Sequence, residues 1–72
     1  MQTKQEANEA KERVKEELSD LCNKITSLTS FLYGTRSLEA KISKEMRNLL
    51  EVQLKAMQEY AMILQERLQI WE

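Results

Sequence analysis

The chain is 72 residues long, with eleven Lys and Arg against twelve Asp and Glu for a formal charge of −1, one Gly and no Pro. So short a chain holds one domain and a small core, which excludes a multidomain enzyme, and its balanced charge excludes a protein that coats duplex DNA. Lacking the Gly and Pro that punctuate β-sandwiches and barrels, it reads as all-α.

Residues 3–33 are strong helix formers, and apolar side chains recur at Ala7, Ala10, Val14, Leu18, Leu21, Ile25, Leu28 and Leu32. The steps alternate three and four, except that two steps of four meet at Val14, which predicts a kinked first helix. Only alanines hold the seam before Val14. Residues 1–13 are therefore read as a polar N-terminal arm ordered by packing on another chain, and residues 14–33 as the core part of helix one. Gly34 suits a helix C-cap and opens a short helical connection over residues 34–42, with Ser37 capping a turn and Leu38 and Ile42 as apolar plugs. Ser43 is the expected N-cap of helix two, which occupies residues 43–71. The expected fold is an antiparallel helical hairpin.

In helix two the seam reads Met46, Leu50, Gln53, Met57, Tyr60, Leu64, Arg67 and Trp71. Leu49, Ala56, Ile63 and Ile70 lie on one flank, and Leu54, Ala61 and Leu68 on the other. Four of seven heptad positions are largely apolar, more than one antiparallel neighbour covers, so the hairpin is expected to assemble into a homo-oligomeric helical bundle. Cys22 has no partner for a disulfide and His is absent, so neither a disulfide nor a Cys/His zinc site can staple so small a scaffold, and self-association is the natural remedy. Cys22 is expected to be a buried small apolar residue, Tyr60 core, and Trp71 either core or an intersubunit contact. The longest uninterrupted apolar run, Ala61 to Leu64, is too short for a membrane span or a signal peptide, and the chain is expected to be soluble and intracellular.

Catalysis lacks its groups: there is no His, no Gly-rich phosphate loop, and no Ser or Cys beside a plausible base. A non-enzyme without cofactor or metal is expected. Glu6, Glu9, Glu12, Glu16 and Glu17 read as a solvated face. Charge is uneven, however, with five basic and two acidic residues between positions 24 and 47, so the turn end is positive and draws phosphate groups or the acidic arm of a neighbour. There Asn23, Lys24 and Thr26 set an amide, an ammonium and a hydroxyl close together. Gln53 and Arg67 interrupt the apolar seam two heptads apart; they fix register or oligomer state, or Arg67 meets an anion in a cavity between chains. In a hairpin turning near residue 37, Lys24 faces about residue 50 and Arg67 about residue 8. The two basic groups then lie roughly 24 Å apart and serve separate sites, or sites assembled from different subunits.

Two stretches carry a resemblance. Leu21 to Phe31 follows Leu-x-x-basic-Ile-x-x-Leu-x-x-Phe, and Leu49 to Arg67 combines Leu49, Leu50, Gln53, Leu54, Ala56, Met57, Tyr60, Leu64 and Arg67. Together they resemble the phage anti-defence sponges for cyclic nucleotides, the helical hairpin shared by anti-CBASS and anti-Thoeris proteins, and most nearly the anti-CBASS sponges. The resemblance implies a homohexamer in the host cytoplasm that sequesters cyclic dinucleotides and cyclic trinucleotides without cleaving them. By the family pattern Lys24 would meet the dinucleotide, with Asn23 beside it, while Thr26 and Arg67 would line the trinucleotide pocket. Residues 2–17 contain no aromatic where relatives stack one on a base, which leaves Tyr33 or Phe31 for that role. The alternative reading is an oligomeric helical adaptor that binds a protein partner through the broad apolar face of helix two. A membrane-surface helix is disfavoured, because Glu51, Glu59 and Glu66 occupy the polar face of helix two.

Overall fold

The computed structural model describes residues 4–34 and 41–71. Helix α1 runs over Lys4–Tyr33 and helix α2 over Lys44–Gln69, and no strand occurs among the described residues. The two helices lie antiparallel in a rod of 52 × 16 × 16 Å. Two cross-links between helices set the register: the Tyr60 hydroxyl donates to Glu17, and the Arg47 guanidinium donates to the Leu32 carbonyl at 2.7 Å.

The helix ends follow from local chemistry. Ser43 has extended backbone and its Oγ accepts from the Met46 N–H at 3.0 Å, so it caps α2 as its sequence position predicts, with Glu45 complementing the helix dipole in the first turn. At the other end the Ile70 N–H reaches the Glu66 carbonyl at 3.2 Å. Helix α1 has no basic residue in its last turn. Arg47 supplies one from α2, taking the Leu32 carbonyl, one of the terminal carbonyls that the helix cannot satisfy itself. Arg47 also pairs with Glu51 at 3.6 Å. Gly34 follows α1 without the left-handed backbone common in C-caps; it is needed because a Cβ there would stand 2.4 Å from the Ser30 carbonyl oxygen. Among the described residues the left-handed one is Lys41, at φ 51°. The expected Ser37 cap and Leu38 plug lie outside the described residues, and Ile42 is half-buried.

On α1 the expected seam is the packed one. Val14, Leu21 and Leu32 are buried, with Leu18, Ile25 and Leu28 half-buried between them, and the helix continues unbroken through the Val14–Leu18 step. On α2 the packed seam is Arg47, Leu50, Leu54, Met57, Ala61, Leu64, Leu68 and Trp71. Leu50, Met57, Leu64 and Trp71 sit where the spacing placed them. Met46, Gln53, Tyr60 and Arg67 do not: all four are exposed, and Arg47, Leu54, Ala61 and Leu68 face α1 instead. The reason is a turn of about 100° between neighbouring residues on a helix that is apolar on both sides of the expected seam. Turning by about half that angle keeps Leu50, Met57, Leu64 and Trp71 in the seam, packs two leucines and an alanine against α1 and leaves Gln53 and Arg67 in water, while the half-buried guanidinium of Arg47 finds the Leu32 carbonyl. Cys22 likewise is exposed rather than buried, one position off Leu21 and turned from the interface.

The rotation leaves a second stripe uncovered. Met46, Leu49, Gln53, Ala56, Tyr60, Ile63, Arg67 and Ile70 continue the alternation of three and four, and all are exposed, Leu49 to 65% and Ile70 to 81%. No described helix is long and apolar enough to cross a membrane.

Candidate functional site

The candidate site is a groove along one edge of the helix pair. From α1 it takes Leu21, Asn23, Lys24, Ser27 and Leu28, and from α2 Gln53 and Met57, around a volume of about 620 Å³. The spacing explains the α1 wall: Lys24, Ser27 and Leu28 are one turn apart, so they present one edge of the helix. The antiparallel register then brings Gln53 of α2 opposite. The floor is apolar and the rim carries one ammonium, two amides and a hydroxyl. Lys24 makes no ion pair with any described residue; the ion pairs among them are Lys15 with Glu12 and Arg47 with Glu51.

Lys24 also borders a smaller neighbouring groove of about 340 Å³, lined by Arg13, Glu16, Glu17, Asp20, Leu21 and Tyr60. There the hydrogen bond to Glu17 comes first among the causes that hold the Tyr60 phenol above its ordinary pKa of 10.0; partial desolvation and the Glu17 charge add to it, and the Arg67 charge opposes them. A third groove of about 640 Å³, near the start of α1, is lined by Asn8, Glu9, Glu12, Arg13 and Glu16. Three carboxylates against one guanidinium make it the wrong sign for a phosphate ligand, so size alone does not select it.

Of the residues singled out from sequence, the structure brings Asn23 and Lys24 together and adds Ser27 and Gln53 to them. Thr26 stands about 200° around α1 from Lys24. Its Oγ1 donates to the Cys22 carbonyl at 3.0 Å, and it borders none of these grooves. Arg67 is exposed on the second stripe of α2, fourteen residues beyond Gln53, or about 21 Å along the helix. Tyr33 is the last residue of α1 and is two-thirds exposed. Ser27 was findable one turn beyond Asn23. Gln53 was noticed for its polarity in an apolar stripe, but its place opposite Lys24 depends on a register three residues away from the one expected.

Such an arrangement can hold an anion on Lys24 while a planar apolar face rests on Leu28 and Met57 and an edge meets an amide. It is open on one side, since a rod two helices thick encloses little. The sequence model of a family described as Sequestin matches residues 8–70, which takes in α2, all but the first turn of α1 and every lining residue of the groove. No curated protein and no solved structure gives a match.

Proposed function

The chain belongs to the Sequestin family, and on that premise we propose that it is a phage counter-defence sponge. It binds cyclic oligonucleotide second messengers in the host cytoplasm and withholds them, uncleaved, from the effectors of a CBASS-type defence. The family assignment supports sequestration as the mode of action, and the observation that carries the ligand class is Lys24. An ammonium with no ion pair to any described residue sits over an apolar floor among neutral hydrogen-bonding groups, which suits a phosphodiester joined to a nucleobase. Sequestration needs no general base and no metal.

The open side of the groove is closed, in this reading, by another copy of the chain. The second stripe of α2 borders the groove through Gln53, so covering the stripe also roofs the ligand. We take the assembly to be a homohexamer, in which symmetry repeats Lys24 around one class of pocket for dinucleotides. Thr26 and Arg67 meet from different subunits in another class, for trinucleotides. Tyr33 is then the aromatic offered to a base.

Calorimetric titration with a panel of cyclic di- and trinucleotides tests this. Binding is expected, with the ligand recovered intact after heat denaturation. Lys24→Ala is expected to weaken dinucleotides and Arg67→Ala trinucleotides, each about tenfold or more with the assembly intact. No heat above background with any member of the panel overturns the reading. The exposure of Leu49, Ile63 and Ile70 favours one alternative, an oligomeric adaptor that docks a protein partner on α2. A thermal-shift screen separates them, because cyclic nucleotides stabilise the sponge and leave the adaptor unchanged.

A further inference from the structure

We propose that Gln53 reads the nucleobase in the Lys24 groove and tilts this site towards adenine over guanine. The inference rests on the reading of that groove as a cyclic-dinucleotide site and adds a residue and a preference to it.

Gln53 is exposed and lines the groove from the helix facing Lys24. Its hydrogen bond within the protein runs from Nε2 to the Met57 thioether at 3.7 Å, a long contact to a weak acceptor. The amide is thus held in place by a partner that a ligand displaces at little cost, and its carbonyl oxygen receives no donor from a described residue. An exposed polar side chain in a stripe otherwise made largely of Met, Leu, Ala, Tyr and Ile needs a partner once that stripe is covered, and a ligand edge supplies it.

The two helices then divide the work. Lys24 is a point charge that takes a phosphate whatever base is attached, so it gives affinity without selectivity. An amide carries a donor beside an acceptor. Both hydrogen-bonding edges of adenine offer a donor next to an acceptor, N6 with N7 on one side and N6 with N1 on the other. Away from the sugar edge, guanine offers that pairing only on its Watson–Crick side, as O6 with N1–H, and presents two acceptors, N7 and O6, on its Hoogsteen side. By either of these two edges adenine finds its match on Gln53, whereas guanine finds it by one.

The test is calorimetric titration of the full chain with cyclic diadenylate and with cyclic diguanylate, comparing the wild type with Gln53→Leu, Gln53→Glu and Lys24→Ala. The wild type is expected to bind the diadenylate more tightly, by about twofold for each base read. Gln53→Leu should bring the ratio near one by weakening the diadenylate, and Gln53→Glu, which offers acceptors only, should reverse the preference towards the guanine N1 and N2 donors. Lys24→Ala should weaken both ligands while keeping the ratio. Binding of both ligands with the same ratio in the wild type and in both Gln53 variants, or a wild-type preference for the diguanylate, overturns the assignment of Gln53 alone. Failure of both ligands to bind the wild type overturns the reading of the groove on which it rests.

Discussion

Tyr60 shows how a single residue serves two surfaces at once. Its ring stands at the edge of the packed seam, 41% exposed, and its hydroxyl crosses to Glu17 of α1. The hydrogen bond favours the neutral phenol, so the pKa is raised in the folded chain. A raised pKa means that the contribution to stability is fully present below the unfolded value, about 10, and is lost as pH rises through the folded value. Tyr60→Phe keeps the ring and removes the donor. Its thermal midpoint at neutral pH is expected to be lower than that of the wild type, and the difference is expected to shrink when both are melted at a pH above the raised pKa of the Tyr60 phenol. Circular dichroism at the two pH values checks this; a gap that stays constant across them would remove the cross-helix bond as its cause.

At the scale of the elements, each helix is defined by its caps and held by one seam. Leu64 is the most deeply covered side chain of α2, at 0% exposure, packed with Val14, Leu21 and Ala61. Truncating such a leucine costs about 2–5 kcal/mol, against a total of about 4–11 kcal/mol for a chain of this size. Leu64→Ala is therefore expected to lower the melting temperature by more than about 10 °C or to abolish the folded state at 37 °C. Met62, on the solvent side of the same helix, is the control: Met62→Ala should shift stability by no more than about 0.5 kcal/mol. Equal effects of the two substitutions would mean that the packed seam is not the one described.

For the whole molecule, the decisive feature is that a rod 16 Å across covers only one of two adjacent heptad stripes on α2. A chain this small keeps few apolar groups from water by itself, and an exposed row of Met, Leu, Ala, Tyr and Ile is the surface on which copies would pack. The double substitution Leu49→Glu with Ile63→Glu places charge in the middle of that row. Sedimentation at micromolar concentration is expected to show an assembly for the wild type and a monomer for the double variant, with ligand binding lost alongside. An assembly that survives the two glutamates would place the interface elsewhere, and a well-folded wild-type monomer would leave the groove without a roof.

The sequence alone was enough to specify two helices, their antiparallel pairing, the α1 seam from Val14 to Leu32 and the Ser43 cap. These depend on neighbours within one or two turns, and periodicity records such neighbours directly. The candidate lysine and its amide neighbour were legible for the same reason, since Asn23 and Lys24 are adjacent in the chain. Only the tertiary structure decided which of two apolar stripes on α2 faces α1, and with it the exposure of Gln53, Tyr60 and Arg67. A helix with four apolar positions in each heptad has two nearly equivalent ways to pack, a rotation of about 50° apart when they share every second seam position. Periodicity cannot choose between them. The choice rests on the comparative cost of burying an amide, a phenol and a guanidinium or two leucines and an alanine, and that cost is defined only when α1 is in place opposite.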